Sequence, residues 1–305
     1  MIDLSCFAKF LNDIDLICDE YDEDVYHYTS AESAKKILEN GKLRFTDRNY
    51  LNDYSEGKYV LDLCLKYISS LSDNSLFNNK LKNELEKRKV ETNRKQGFFI
   101  YQCSLSINGD SLCLWNYYSK DIGIKGYNIR FSTKKLENAI QPQSINASKK
   151  NRVYCGRVIY DKERQLEIVA DILHQFDDFL AKQEDYEKDL QLIVEYAVDK
   201  IMAQGCFFKK NCFEVEEEYR ILLNPYIDSN GKFLTIKNKR EYSEKNGIFI
   251  PYVDIEFSSD CLKGITISPT LDFETTRRGI FDLIADKYPN INPSSIVKSE
   301  IPIRY

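Results

Sequence analysis

The spacing of apolar and polar residues along the chain predicts helices and strands in mixed order. Apolar residues three or four positions apart indicate amphipathic helices over 2–20, 56–71, 75–95, 112–118 and 271–288. Stretches rich in aromatic and β-branched residues predict strands over 25–28, 42–46, 97–106, 126–132, 152–160, 216–224, 232–237, 247–257, 263–268 and 295–303. This mixed order, without internal repeats, favours an α+β fold.

Residues 162–204 differ from the rest because they carry two long helical patterns and few turn residues. An apolar stripe that includes Ile193, Val194 and Ala197 supports the second of these helices. Because no low-complexity linker flanks the segment, we interpret it as a helical insertion in a single domain spanning 1–305. A domain of this length buries about three quarters of its unfolded surface and needs no disulfide or metal for stability.

The first predicted strand is followed by signals for a helix start. Thr29 and Glu32 have the spacing of a capping box, in which the hydroxyl and the carboxylate each bind a backbone N–H of the first turn. Gly41 is suited to end that helix because glycine readily adopts the left-handed conformation found after a helix C-terminus. The segment 75–95 is so highly charged that we expect its helix to be largely exposed.

Composition is that of an ordinary globular protein, with 43% apolar and 30% charged residues. The net charge of −5 provides no global basic field for nucleic acid or anionic lipid. Basic clusters at 87–95 and 149–157 are either solvated surface or phosphate-binding groups beside a cleft. Nine cysteines without a C-x-x-C pair, and only two histidines, predict reduced thiols and no metal site. With no signal-peptide pattern and no apolar run of about 18 residues, we expect a cytoplasmic protein without a membrane span.

His27 stands at the predicted junction between the first strand and the helix that follows it. A side chain at a strand end projects into the crevice above the sheet edge, where the free N–H groups of the next helix favour an anion. Neutral imidazole both donates and accepts hydrogen bonds, so it can bind ribose hydroxyls or a carboxamide. The alternative is a half-buried histidine whose ring binds a backbone carbonyl.

Glu216 and Glu218 are two residues apart on a predicted strand, so both should point to the same face. If that face lines a cleft, Glu218 can stabilise the positive charge that develops at a sugar anomeric carbon. Glu216 can then orient a substrate hydroxyl or act as a base, and Arg220 can hold the pair or a phosphate. The alternative is a solvent-facing strand whose carboxylates pair with lysine or arginine.

A third segment offers small polar and aromatic side chains. Ser104 and Ser106 share one face of a predicted strand. Trp115 and Tyr118 lie at positions i and i+3 of a short helix, a spacing that allows both to stack on a base or a nicotinamide ring. The alternative is that these aromatic residues belong to the core.

A polar turn that begins at Asn52 and includes Asp53 and Glu56 either lines the same crevice or caps the next helix. Other chemistries have less support. The sequence has no Walker-type loop, no G-x-G-x-x-G segment and no G-x-S-x-G elbow. His174 lies in a predicted amphipathic helix, which indicates a surface or structural residue.

Several motifs, taken in order, resemble a bacterial domain-of-unknown-function family. They are Tyr26-His27-Tyr28-Thr29-Ser30, Ile37-Leu38-x-x-Gly41-x-Leu43-Arg44, Leu51-Asn52-Asp53-x-x-Glu56, Trp115-x-x-Tyr118 with Gly123 and Phe131, Glu216-x-Glu218-Tyr219-Arg220, and Ser299-x-Ile301-Pro302-x-Arg304. The ordered set covers most of the chain apart from the N-terminal helix and residues 162–204.

That family in turn resembles ADP-ribosyltransferases of the His-Tyr-Glu kind. The resemblance implies a split mixed or antiparallel sheet around an NAD crevice, with Tyr101, Tyr117 or Tyr118 as the tyrosine of the second motif. The resemblance implies Glu218 as the catalytic carboxylate, and Glu216 and His27 complete the set of expected catalytic residues. The residues expected to bind NAD are His27, Tyr28, Thr29, Arg44, Asn52, Ser104, Ser106, Trp115 and Tyr118.

The leading hypothesis is therefore an enzyme that consumes NAD as a substrate and resembles ADP-ribosyltransferases. Related proteins often act as toxins or phage-defence effectors, which implies a nucleic-acid or protein acceptor and an antitoxin or defence-system partner. Two other hypotheses stay open. One is a non-catalytic sensor of a nucleotide or phage component, and the other is a nuclease in which Glu216, Glu218 and Asp53 bind magnesium.

Overall fold

The computed structural model describes residues 3–13, 16–51, 56–71, 75–90, 100–119, 124–140, 152–225 and 238–303. Within them the α-helices are α1 (Leu4–Asp13), α2 (Ala31–Asn40), α3 (Glu56–Ser70), α4 (Leu76–Val90), α5 (Leu112–Tyr118), α6 (Thr133–Ile140), α7 (Lys162–Ala181), α8 (Leu190–Gln204) and α9 (Phe273–Ile284). The strands are β1 (Asp24–Ser30), β2 (Lys42–Asp47), β3 (Tyr101–Ser106), β4 (Gly126–Ser132), β5 (Arg152–Arg157), β6 (Glu218–Asn224), β7 (Glu241–Lys245), β8 (Ile248–Glu256), β9 (Leu262–Ile267) and β10 (Ile296–Lys298).

The chain divides into two compact units, each built from three separate segments. The helical unit comprises residues 1–19, 52–96 and 158–214, and the sheet unit comprises 20–51, 97–157 and 215–305. All ten strands named above fall in the sheet unit. Whether the whole chain behaves as a single domain over 1–305 stays a prediction.

The helical unit has an apolar core of its own, to which α1, α3, α4, α7 and α8 contribute. The predicted insertion at 162–204 corresponds to α7 and α8, and these helices pack with α3 and α4. Asp161 caps α7, since its carboxylate accepts a hydrogen bond from the Arg164 N–H at 2.7 Å. The insertion is therefore part of a larger helical assembly that includes residues from the first third of the chain.

Two predictions about this unit are wrong in detail. The N-terminal helix ends at Asp13 instead of residue 20, and the backbone N–H and C=O of Ile17 both bind the Gln204 side chain, at 2.9 and 2.8 Å. The helix at 75–95 is not largely exposed, because one side of α4 is buried. Its charges tolerate burial because Arg88 binds Glu84 at 3.0 Å and Asp199 at 3.1 Å.

The sheet unit contains one mixed sheet of ten strands, which confirms the α+β class. Along the main path the strand order is β10-β9-β4-β1-β3-β2-β8-β7, while β6 pairs with β3 and β5. β10 and β9 are parallel and the other pairs are antiparallel. Apolar residues of α2, α6 and α9 pack on the core face of this sheet.

β3 is the branch point of the sheet. One of its edges pairs with β6 over the whole of Tyr101–Ser106. Its other edge is shared, because β1 pairs there through Ser106 alone and β2 through Tyr101 and Gln102. Within the described residues, β1 and β2 therefore diverge from β3 and leave a split beside Cys103–Leu105. We call this gap between the paired parts of β1 and β2 the β3 split.

The start of α2 differs from the predicted capping box. β1 continues through Ser30, and it is the Ser30 hydroxyl that accepts a hydrogen bond from the Ser33 N–H, at 3.3 Å. Glu32 instead pairs with Lys36 at 2.5 Å, one helical turn later. Gly41 ends the helix as predicted, with a φ of +64° that glycine adopts without strain.

All nine cysteines are free thiols. Burial raises the pKa of Cys64 and of Cys103 to about 12 in each case, so both stay protonated at neutral pH. Among the helices in the described part of the chain, none combines the length and the apolar character needed to cross a bilayer.

Candidate active site

His27 lies within β1, three residues before the strand ends, and its ring is half-buried. Nδ1 is 3.4 Å from the main-chain oxygen of Ser104, on the edge of β3 that faces the split. Burial lowers the pKa of His27, and the Ser104 carbonyl opposes that shift only in part. The imidazole is therefore neutral near pH 7 and retains one ring nitrogen for a ligand.

Acid should destabilise the protein through His27. Because burial lowers the pKa of His27 in the folded chain, the unfolded chain takes up this proton first as the pH falls below the ordinary value of about 6.5. The stability linked to this group is fully present above about pH 6.5 and is lost as the pH falls toward the lower, folded pKa. We expect His27→Gln to lose less unfolding free energy than the wild type between about pH 7.5 and 5.5, measured by urea denaturation.

The chain supplies a matched control, because its other histidine, His174, is exposed on α7. The His174→Gln variant should lose as much stability in acid as the wild type. An equal acid loss in the wild type and in His27→Gln would show that His27 is not the acid-sensitive group.

Glu218 is the first residue of β6 and is only 6% exposed. Its Oε2 lies 2.7 Å from Nη2 of Arg220, which is 1% exposed. Across the β3–β6 ladder, Ser106 lies opposite Glu218 and Ser104 lies opposite Arg220. A carboxylate and a guanidinium are thus held together beside two serines, on the face of β3 and β6 opposite the apolar core.

Glu216 does not share a strand face with Glu218, so that expectation is wrong. Glu216 ends a 3₁₀ helix (Asn211–Glu216), and Glu217 then adopts a positive φ of +43° before β6 begins. The strand alternation assumed for Glu216 therefore starts only at Glu218. The Glu216 side chain is nevertheless buried.

The turn before Glu218 is fixed by the residues at the end of β3. The Ser106 hydroxyl donates to the main-chain oxygen of Glu216 at 2.9 Å, and the Ile107 N–H donates to that of Glu217 at 2.9 Å. The Asn108 side-chain amide donates to the Glu217 carboxylate at 2.6 Å. Ser106 thus positions the candidate carboxylate through the backbone.

Strand register relates His27 to Glu218. Tyr26 lies opposite Ser106, and Ser106 lies opposite Glu218, so these three side chains point to the same face. His27 follows Tyr26 and by alternation points to the other face, together with Val25. The two residues are therefore separated by a single strand and reach opposite faces of the sheet beside the β3 split.

Tyr28 and Trp115 pack against each other on the Glu218 face of the sheet. The Tyr28 hydroxyl donates to the main-chain oxygen of Asn108 at 2.8 Å and accepts from the Ser111 N–H at 2.9 Å. Trp115 is fully buried, with its ring 4.9 Å from that of Tyr28 in an edge-on arrangement. Both side chains are therefore core residues. For Trp115 this was the alternative to stacking on a ligand.

Asp110 joins three segments and was missed by the sequence reasoning. Its carboxylate accepts hydrogen bonds from the Trp115 indole at 2.7 Å, the Ser299 hydroxyl at 2.6 Å and the Glu300 N–H at 2.7 Å. Two motifs far apart in the sequence, Trp115-x-x-Tyr118 and Ser299-x-Ile301, thus meet at one carboxylate. An aspartate after Asn-Gly is ordinarily a turn residue, so no local pattern in the sequence pointed to this role of Asp110.

The remaining residues expected to bind NAD differ in their burial and in their side-chain contacts. Thr29 is buried in β1, and the Ser104 hydroxyl accepts from the Gln102 amide at 2.9 Å. Arg44 is exposed on β2, where it binds Asp254 at 3.3 Å and lies over the Tyr252 ring. Asn52 and Asp53 lie outside the described residues.

Exposure distinguishes the three tyrosines that could serve as the tyrosine of the His-Tyr-Glu pattern. Tyr101 is fully buried, and burial raises its pKa to about 12 although the Arg240 guanidinium, 2.8 Å away, opposes the shift. Tyr117 is 57% exposed, and its pKa is raised mainly by Cys113 and also by the nearby Glu216 carboxylate. Tyr118 is 41% exposed. The two tyrosines of α5 are therefore better candidates for ligand contact than Tyr101.

The fold and the candidate site define an α+β protein with a split mixed sheet and a buried carboxylate–guanidinium pair. Residues 114–221 match a protein-family model described as "Protein of unknown function (DUF2971)". The matched segment runs from α5 into β6 and includes Trp115, Tyr118, Glu216 and Glu218, which confirms the resemblance to a family of unknown function over that segment. No curated protein and no solved structure matches the chain.

Proposed function

We propose that this protein is an NAD-consuming enzyme of the ADP-ribosyltransferase-like type, with Glu218 as the catalytic carboxylate. The observation that carries the proposal is the β3 split, where a buried carboxylate lies one strand away from a neutral imidazole. Ligand sites commonly combine a few convergent polar groups with residues whose pKa is shifted, as that of His27 is.

The proposed binding mode follows from the two faces of the sheet. His27 would bind the ribose hydroxyls or the carboxamide of NAD through the ring nitrogen that does not contact Ser104. Glu218 would reach the same ligand from the other face, because β1 pairs with β3 through a single residue pair at this point. Tyr117 and Tyr118 have exposed rings, which in this proposal would stack on nicotinamide.

The proposed reaction breaks the bond between C1′ of the ribose and the nicotinamide nitrogen. Nicotinamide leaves as a neutral molecule with the bonding electron pair, and positive charge develops on the ribose. Glu218 stabilises that charge by about 4 kcal/mol at a separation of about 4 Å and an effective dielectric near 20, before any discount for Arg220. An acceptor nucleophile then bonds to C1′ and gives up its proton to a base, for which Glu216 is a candidate.

The acceptor in this proposal is a nucleic acid or a protein. The protein would then act as a toxin or phage-defence effector that a partner protein inhibits. Water can replace the acceptor, in which case the products are nicotinamide and free ADP-ribose.

One observation favours a second function. Glu218 already pairs with Arg220 in a buried site, and such a pair can serve binding and structure without turnover. In that case the protein is a nucleotide sensor, and its ligand phosphates are held near Arg220.

The test is to incubate the full chain with NAD, alone and with added RNA, DNA or cell extract, and to quantify nicotinamide by chromatography. The proposal is supported if nicotinamide is released faster than in a buffer control. Labelled ADP-ribose should then appear either on the acceptor or free in solution. If no condition releases nicotinamide, the enzymatic assignment is wrong. Calorimetry with NAD and with ATP then tests the second function on the same sample. Binding of either nucleotide without its breakdown supports the nucleotide sensor.

A further inference from the structure

β7 is the last strand of the described sheet on its side, and its side chains are mostly exposed. It joins β8 through Asn246 and Gly247, whose φ angles of +53° and +78° are those of a type I′ hairpin turn. The hairpin also carries exposed apolar side chains, with Tyr242 58% and Phe249 70% exposed. An edge strand with this much exposed surface is a template for pairing with another strand.

The hairpin register determines which backbone groups face outward. Lys245 pairs with Ile248 across the two-residue turn, so its carbonyl faces the Ile248 N–H. Because hydrogen-bonding direction alternates along a strand, Ser243 and Glu241 also direct their backbone groups toward β8. The outward-facing N–H and C=O groups of β7 are therefore those of Tyr242 and Glu244.

Only a few symmetric antiparallel registers let two copies of β7 join these outward groups. A two-fold axis at Ser243 pairs Tyr242 with Glu244 of the second copy, in both directions, and makes four backbone hydrogen bonds. It also overlaps all five residues of the strand and places Glu241 opposite Lys245 twice. An axis at Glu244 sets that carboxylate against itself, and an axis at Tyr242 sets Lys239 against Lys245. The sequence Glu-Tyr-Ser-Glu-Lys is thus self-complementary in one register.

We propose that the protein forms a two-fold dimer through antiparallel β7–β7 pairing centred on Ser243, in which Glu241 of each copy pairs with Lys245 of the other. The partner is a second copy of this chain. Charged residues on an edge strand ordinarily oppose pairing, but here the favoured register brings opposite charges together. Glu241 also accepts a hydrogen bond at 2.8 Å from the hydroxyl of Tyr252, its pairing partner on β8.

The test uses charge reversal in the full chain, with sedimentation velocity over about a hundredfold range of concentration. The wild type should show a monomer–dimer equilibrium. Glu241→Lys and Lys245→Glu should each weaken it at least about tenfold, because each creates two like-charge pairs in the dimer. An equimolar mixture of these two variants should dimerise again, since every facing pair is then of opposite charge. The double variant Glu241→Lys/Lys245→Glu should also regain the dimer.

Lys239→Glu is the matched control, because it makes the same charge change just outside the five-residue overlap. Its dissociation constant should stay within about twofold of the wild type. Thermal unfolding of each variant checks that the fold persists. A wild type that is monomeric at every concentration overturns the proposal, and so does a dimer that neither single reversal weakens.

Discussion

Glu218→Gln is expected to lower the release of nicotinamide from NAD at least about a hundredfold, the loss found when a group that stabilises transition-state charge is removed. The glutamine keeps nearly the same volume and can still accept a hydrogen bond from Arg220. It lacks the negative charge that would stabilise the positive ribose. The rate should fall in kcat, with a smaller change in KM, because that charge develops only in the transition state.

Glu217→Gln is the matched control for this prediction. Glu217 is the adjacent carboxylate, and its side chain contacts Asn108, with which glutamine can also form a hydrogen bond. This variant should retain the wild-type rate within about threefold. A Glu218→Gln protein that releases nicotinamide as fast as the wild type would rule out the assignment of Glu218 as the catalytic carboxylate.

Arg220→Ala is expected to lower the free energy of unfolding by about 3–5 kcal/mol, since it leaves the buried Glu218 carboxylate without its guanidinium. The double variant Glu218→Met/Arg220→Met should recover most of that loss, because apolar side chains of similar volume remove both charges at once. Urea denaturation measures the change. The single tryptophan, Trp115, is fully buried in the sheet unit that contains Arg220, so its fluorescence reports on the relevant unit.

Arg277→Ala is the corresponding surface control, since Arg277 pairs with Glu274 at 2.8 Å on an exposed part of α9. It should change stability by less than about 1 kcal/mol. If Arg220→Ala is as stable as this control, the Glu218–Arg220 pair does not contribute the expected amount of about 3–5 kcal/mol to the free energy of unfolding.

Local patterns in the sequence predicted most elements of the fold well. Aromatic and β-branched runs marked β3, β4 and β9, and the start of α2 was missed by only one residue because serine and threonine are both good caps. The exposure of α4 was predicted wrongly for a physical reason. The charge of Arg88 indicated a solvated face, but partners on α4 itself and on α8 allow that charge to be buried.

The candidate site was harder to predict because it depends on contacts between distant segments. Strand spacing could not show that Glu217 adopts a positive φ and thereby separates Glu216 from the strand. Nor could a helical spacing tell whether Trp115 faces a ligand or Tyr28. The approach of His27 to Ser104 rests on the β1–β3 pairing, which no local pattern contains.

The Asp110 contacts have a consequence for biosynthesis. Asp110 binds residues 189 and 190 positions further along the chain, so the ribosome must make nearly all of these 305 residues before that loop acquires its final partners. β6, which carries Glu218, also emerges long after β1 and β3. The growing chain therefore lacks a complete β3 split until β6 has been made, and a nascent enzyme of the proposed kind would stay inactive at least until then.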